Sequence, residues 1–206
     1  MSPRERSRFH GRILGVGTTS GTRVVVGHWH DTPLGAFSDA MVETPAGHRV
    51  LLAPRAEVRD FIAATYSFDE IRLEPVTVTR EGAGWSLDSP SLSLRVTQGR
   101  RTALGRLLRL VPARVATSPA WCAVTDPVAR LVLRGVRTRG TAGNDRREWY
   151  GASDVHAITA VHGSFDGADL GSLTAVEPPA RFGFSSTPRR PTVTSVVTTV
   201  EIRDPS

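Results

Sequence analysis

The sequence predicts a mostly β, α+β fold in which one large antiparallel sheet curls into a barrel or sandwich and carries two short helices. Three observations predict it: many β-favouring runs, turn signals at regular intervals between them, and two segments with helical periodicity. The 206-residue chain has no internal repeat and no linker, so we expect a single β-rich domain spanning 1–206. The alternative is a β-rich unit from 1 to about 98 and a second unit from about 115 onward.

Strands are predicted where Val, Ile, Thr and aromatic residues recur between Gly, Pro and Ser turns. The pattern is clearest in 91–97, where Leu92, Leu94 and Val96 fall on one face and polar residues on the other. The predicted strands are 9–17, 22–29, 39–43, 48–53, 71–79, 84–87, 91–97, 121–125, 129–137, 149–161 and 192–202.

Two segments, 54–66 and 101–110, are predicted as helices. Their apolar residues recur at i, i+3, i+4 and i+7, which places them on one helical face. Pro54 suits a first helical position, and Pro112 limits extension of the second helix. The apolar positions are Val58, Phe61, Ile62 and Thr65 in the first helix, and Leu104, Leu107, Leu108 and Val111 in the second.

The composition excludes several chemistries. All 26 basic residues are Arg and none is Lys, so the chain has no side-chain amine for a Schiff base and no phosphate-loop Lys. The single Cys122 excludes an internal disulfide and a multi-thiolate metal site, and we expect it as a buried thiol on a strand. We predict no cofactor and no metal. With one cysteine, no secretory signal and no apolar run of about 18 residues, we expect a cytoplasmic protein without a transmembrane segment.

The net charge of +6 is concentrated in the middle of the chain. Segment 95–147 has twelve Arg against Asp126 and Asp145, which gives it +10 and leaves −4 for the remainder. A solvated helix face explains the Arg residues of 100–114, and a module that binds nucleic acid or another anionic surface is the alternative. We do not expect nucleic acid as a partner, because the chain has no aromatic RNA-binding motif and no zinc finger.

Histidines supply two candidate sites. His28 and His30 project to one side of a predicted strand, a spacing that suits a metal but equally a polar strand end. His156 is expected to share a face with Glu148, Tyr150 and Asp154. Such a face holds either an acid/base pair or solvent-exposed polar residues.

A proline-rich stretch, 177–191, is long enough for either a functional loop or a mobile surface loop. Arg181, Phe182 and Phe184 lie within it. An aromatic and cationic loop of this kind suits a lid over an aromatic or anionic ligand.

Segment 32–43 resembles the acetoacetate decarboxylase-like group, in which a Gly-x-Tyr-x-Glu strand follows a Pro/Gly turn. The matching residues are Gly35, Phe37 and Asp39, and the similarity covers about residues 10–60. The resemblance implies a large antiparallel barrel with the acid facing a ligand cavity. The group's decarboxylation needs a Schiff-base lysine, and this chain has none, so the resemblance implies the barrel and the cavity without that reaction.

The sequence therefore predicts a β-barrel protein that binds a small anionic or carboxylate-bearing molecule, which Arg grips well. A lysine-independent lyase or hydrolase, with Asp39 or His156 as acid/base, is the enzymatic alternative. The predicted ligand-binding residues are His28, Asp39, Glu43, Arg181, Phe182 and Phe184.

Overall fold

One curled sheet forms the centre of the molecule. The computed structural model describes residues 5–132, 137–141, 147–183 and 185–202. Its strands are β1 Glu5–Thr18, β2 Arg23–Asp31, β3 Phe37–Glu43, β4 Arg49–Ala53, β5 Glu70–Leu73, β6 Thr77–Glu81, β7 Gly84–Asp88, β8 Leu92–Arg101, β9 Arg139–Thr141, β10 Arg147–Phe165, β11 Ala168–Asp169, β12 Leu173–Thr174 and β13 Thr192–Ile202. Its helices are α1 Ala56–Ala63, α2 Ala103–Leu108, α3 Ala113–Ala116 and α4 Pro119–Val132.

The strand order explains why the sheet curls. Neighbouring strands run β5-β4-β3-β2-β1-β13-β10-β8-β7-β6, antiparallel except for the parallel β4–β5 pair. β5 and β6 stand at opposite ends of this order, yet only residues 74–76 separate them in sequence. A link this short holds the two edges of the sheet close together. The predicted mostly β fold with a curled antiparallel sheet is confirmed, and the sheet forms a half-barrel.

The same link corrects one predicted strand. Segment 71–79 is two strands, β5 and β6, with Pro75 between them. Proline has no N–H for the sheet ladder, so it favours a break at this position.

The inner face of the half-barrel is an apolar core. Val24 and Leu52 come from one half of the sheet, and Leu92 and Val161 come from the other. All four are at most 2% exposed and belong to one contiguous cluster. Contact between the two halves is what buries this face.

A second, smaller core lies on the outer face of β1–β4. Phe9 and Leu51 point outward there and pack with Val58 and Ile62 of α1. The strands β1–β4 are therefore buried on both faces, and successive residues along each strand enter different cores.

The two predicted helices at 54–66 and 101–110 are present as α1 and α2. The predicted strands 121–125 and 129–137 are wrong where the chain is described, because α4 covers 119–132. The Ser118 Oγ accepts the Trp121 N–H at 3.2 Å, and Pro119 occupies the first helical position. Both features favour a helix start, whereas the apolar run alone fits either structure.

Cys122 accordingly lies on a helix rather than a strand. It is 1% exposed, and burial raises the pKa of its thiol to about 11. Within the described residues, none of the helices has the length and apolar character needed to cross a membrane.

The two-core arrangement predicts a sharp contrast between two leucines. Leu52→Ala removes a fully buried side chain from the inner core and should lower the free energy of unfolding by about 2–5 kcal/mol. Leu73→Ala, at a position 53% exposed, should change it by less than about 0.5 kcal/mol. Urea denaturation monitored by circular dichroism measures both, and equal losses would contradict the assignment of Leu52 to the core.

Candidate functional site

A row of polar side chains crosses five neighbouring strands on the inner face. The cross-strand register aligns them in the order Ser38, His28, Arg12, Ser195 and Asp154, on β3, β2, β1, β13 and β10. Residues directly opposite one another on paired strands project to the same face. The row therefore forms one polar end of a face that is mainly apolar.

Trp85 closes this polar end from the other half of the sheet. It is 2% exposed, and its indole N–H donates to Gln98 Oε1 at 3.0 Å. The guanidinium carbons of Arg12 and Arg80 lie 5.4 and 5.2 Å from the centre of the Trp85 ring. The His28 ring meets the same indole edge-on, with 5.9 Å between ring centres. We call Arg12, His28, Arg80 and Trp85 the Arg12 cluster.

The Arg12 cluster carries excess positive charge. Among the described residues, no hydrogen bond or ion pair reaches the Arg12 guanidinium, which is partly buried. Burial, followed by the charge of Arg80, lowers the pKa of Arg12. Burial also lowers the pKa of His28, and the charge of Arg12 adds to that effect. Both shifts reflect partial burial of a titratable group beside the guanidinium of another residue.

Asp154, at the end of the row, already has an ion-pair partner. Its carboxylate accepts from Arg101 Nε at 2.8 Å and from Arg101 Nη2 at 3.0 Å. His156 Nδ1 lies 3.9 Å from the same carboxylate.

A β-bulge places His156 differently from the expectation. The register of β10 against β13 shifts between Ala152 and Asp154. Asp154 and His156 therefore share the inner face, while Glu148 and Tyr150, before the bulge, point to the outer face. The expected common face of all four residues is wrong for that reason.

Asp39 lies on the outer face, opposite the Arg12 cluster. It is 2% exposed, and its carboxylate accepts from the Trp29 indole N–H at 2.9 Å. Gly27, the residue paired with Asp39 on β2, makes room for this carboxylate, because a Cβ at position 27 would lie 2.4 Å from Asp39 Oδ1. Burial raises the pKa of Asp39 to about 7, against the lowering effect of the Trp29 hydrogen bond.

Two half-buried tyrosines and the buried Glu148 form a group near Asp39. The Tyr150 hydroxyl donates to Glu148 Oε2 at 2.7 Å, and the Tyr66 hydroxyl donates to the same oxygen at 3.1 Å. The two hydroxyls also contact each other. Burial, followed by the charge of Glu148, raises the pKa of both tyrosines.

Glu43 ties the 177–190 segment to the sheet. It is fully buried, and its Oε1 meets Arg23 Nη2 at 3.0 Å and Arg181 Nη2 at 2.8 Å. The Arg181 backbone N–H donates to Glu43 Oε2 at 2.8 Å. Two arginines thus surround one carboxylate, and Arg181 remains 66% exposed on the solvent side.

The same segment forms one wall of a groove of about 540 Å³. Phe182 is 4% exposed and packs on Phe68, with 5.8 Å between ring centres. Phe184 lies outside the described residues. The groove is lined by Arg49, Ser67, Pro178, Pro179, Ala180, Arg181, Phe182, Gly183, Ser185 and Ser186.

The structure thus separates the predicted site residues. His28 and His156 lie on the inner face, whereas Asp39, Glu43, Arg181 and Phe182 belong to the outer side. Sequence reasoning missed Arg12, Arg80 and Trp85. The one available signal was that Arg12 has the same parity on β1 as the buried Leu14. Among the described residues, no three His, Cys, Asp or Glu side chains converge where a metal ion could sit.

Comparison with known proteins gives structural neighbours only. No family model matches the chain, and no curated protein matches it. A crystal structure of acetoacetate decarboxylase from Legionella pneumophila subsp. pneumophila str. Philadelphia 1 is 7% identical, with a TM-score of 0.45, covering 97% of this chain and 86% of that one. A second solved acetoacetate decarboxylase is 10% identical, with a TM-score of 0.40, covering 97% and 88%. At this level neither similarity assigns a role to any residue.

The buried Asp39 predicts an unusual dependence of stability on pH. Its pKa rises from 3.8 to about 7 on folding, so the folded state holds this proton more tightly than the unfolded state. The Asp39 contribution to stability is therefore complete below pH 4 and falls by roughly 4 kcal/mol as the pH rises to 7. Asp39→Asn should remove that part of the slope in urea denaturation between pH 4 and 8. Asp31→Asn, at an exposed position, is the control, and an unchanged slope in Asp39→Asn would refute the assignment.

Proposed function

We propose that the protein binds a small anionic molecule, with a carboxylate as its best-fitting group, at the Arg12 cluster. The observation that carries the proposal is the Arg12 guanidinium, which is partly buried and has no hydrogen-bonding partner among the described residues. Partial burial removes some of the water around this charge, and the Trp85 ring beside it supplies no hydrogen-bond acceptor of the strength of a carboxylate. A bound anion supplies the missing acceptor.

The charge balance of the site supports an anion over a cation or a neutral ligand. Arg12 and Arg80 approach one indole ring, so their like charges repel. The nearest carboxylate in the row, Asp154, is already paired with Arg101. The charge of Asp154 offsets only part of this repulsion at Arg12, and an anion between the two guanidiniums would offset more of it.

The shape of the arginine side chain also explains why a carboxylate is the best-fitting anion. Its planar fork of N–H donors matches the two carboxylate oxygens and forms paired hydrogen bonds. Ser195 lies beside Arg12 in the register, and Ser38 Oγ is 2.9 Å from His28 Nδ1. The Ser195 hydroxyl offers a further donor beside Arg12, and the Trp85 ring offers a flat apolar surface for the rest of a small ligand.

The groove at Arg181 is the competing site for the same class of ligand. Its lining carries two guanidinium groups and three serine hydroxyls without a carboxylate. Both guanidiniums, however, already have carboxylate partners, Glu43 for Arg181 and Asp69 for Arg49. Arg12 has no such carboxylate partner among the described residues. We therefore assign the ligand to the inner face.

Replacing one arginine at a time tests the assignment. Thermal unfolding is followed with acetate, succinate, benzoate, phosphate and sulfate at constant ionic strength, and isothermal titration gives Kd for any anion that raises Tm. Arg12→Gln should weaken binding at least about tenfold, because the paired hydrogen bonds are lost. Arg181→Gln and the exposed control Arg95→Gln should keep the wild-type Kd.

Two results would overturn the proposal. Loss of binding in Arg181→Gln with retention in Arg12→Gln moves the site to the groove. Absence of a Tm shift with every anion, together with a native mass spectrum free of a bound small molecule, removes the binding function itself.

A lysine-independent lyase or hydrolase is the second candidate. The observation that favours it is the His156–Asp154 pair, which lies on the same face of the sheet as the Arg12 cluster. A histidine beside a carboxylate suits a general acid/base. Asp39, the other predicted acid/base, is on the opposite face.

A substrate screen with two variants decides between these residues. Turnover of a panel of carboxylic acids and esters should be lost in His156→Gln and kept in Asp39→Asn. Binding of the anion to Arg12 should survive in both variants. The reverse pattern would assign the chemistry to Asp39. If the wild-type protein turns over none of the compounds, the enzymatic candidate is rejected and only the binding function remains.

A further inference from the structure

The surface around residues 106–115 combines exposed apolar and basic side chains. Among the described residues, six large apolar side chains are exposed, and three of them fall between 107 and 115. Leu107 is 62% exposed, Leu110 79% and Val115 43%. We call the exposed residues Arg106, Leu107, Arg109, Leu110, Arg114 and Val115 the 106–115 surface.

The way α2 docks on the sheet explains why Leu107 is exposed. Gly105 is the buried residue of this helix, and a Cβ there would lie 2.4 Å from the Val155 carbonyl oxygen. The Thr102 N–H also donates to the Val155 carbonyl at 2.9 Å. The helix thus approaches β10 closely at Gly105, with Leu104 and Leu108 half-buried and Leu107 left exposed.

The segment after α2 is a series of hydrogen-bonded turns. The Leu110 N–H donates to the Leu107 carbonyl at 3.0 Å, and the Val115 N–H donates to the Pro112 carbonyl at 2.8 Å. The leucines are therefore held at the surface by a defined backbone.

The charge around these leucines has one sign. Between residues 89 and 125 the sequence has six Arg and no Asp or Glu. Arg106, Arg109 and Arg114 are exposed and alternate with the apolar residues. A partner that covers this surface must accept both cationic and apolar side chains.

We propose that the 106–115 surface docks on an anionic lipid bilayer, with Leu107 and Leu110 entering the headgroup region and the arginines meeting lipid phosphates. Basic residues that flank exposed leucines are typical of interfacial membrane contacts. Nucleic acid would engage the arginines but gives no reason for two leucines at 62% and 79% exposure. This docking is independent of the anion site at Arg12.

Sedimentation with vesicles tests the proposal. Full-length protein is incubated with vesicles of phosphatidylcholine alone or mixed with phosphatidylserine, at low and moderate salt, and the partition coefficient is measured. We expect binding to the phosphatidylserine vesicles and at least a tenfold lower partition coefficient on phosphatidylcholine alone. Leu107→Ser/Leu110→Ser and Arg106→Gln/Arg109→Gln should each lower it at least tenfold.

Matched controls separate the surface from a general effect. Leu73→Ser replaces an apolar residue 53% exposed on β5, and Arg95→Gln replaces an exposed arginine on β8. Both should sediment like wild type. We expect every variant to fold, because all replaced side chains are exposed. Circular dichroism verifies this.

Three outcomes would overturn the proposal. The first is no sedimentation with phosphatidylserine vesicles at low salt. The second is binding to a duplex oligonucleotide that needs the arginines but not the leucines, without vesicle binding. The third is a wild-type dimer that Leu107→Ser/Leu110→Ser converts to a monomer, because a second copy then covers the surface.

Discussion

The alternation of side chains along β1–β4, strands that are buried on both faces, is the constraint on which the rest of the structure depends. On β1, Leu14 enters the inner core while Phe9 enters the outer one. A one-residue slip in register would exchange the two sets and place Arg12 among the aromatic residues of the outer core. Correct register therefore fixes both the stability of the sheet and the position of its charged residues.

The β-bulge in β10 adjusts this alternation at one point. Before it, Glu148 and Tyr150 face outward, and after it Asp154 and His156 face inward. A regular strand would send all four to one side, next to either the tyrosine group or the Arg12 cluster. The bulge thus keeps Glu148, which accepts two tyrosine hydroxyls, apart from Asp154, which pairs with Arg101.

Much of the fold could be predicted from local pattern, and the site could not. Alternation in 91–97 and helical spacing in 54–66 identify their elements because each has one polar and one apolar face. The run at 119–132 lacks such contrast, so periodicity alone assigned part of it to strands. The Arg12 cluster arises from the pairing of β1 with β2 and β13 and from Trp85 reaching across the interior. Such contacts join residues that are distant in sequence, and local spacing carries no record of them.

The role of each arginine, structural or ligand-binding, depends on its partners more than on the number of arginines in the chain. Arg23 and Arg181 share the buried Glu43 and thereby hold a surface segment to the sheet. Arg101 holds Asp154 in the same manner, so these guanidiniums act as structural cross-links. Arg12 lacks such a carboxylate among the described residues, and Arg106 and Arg109 face solvent beside exposed leucines. Since the chain uses one cationic side chain for all these positions, burial and the nearest acceptor are what distinguish a structural arginine from one that is free to meet a ligand.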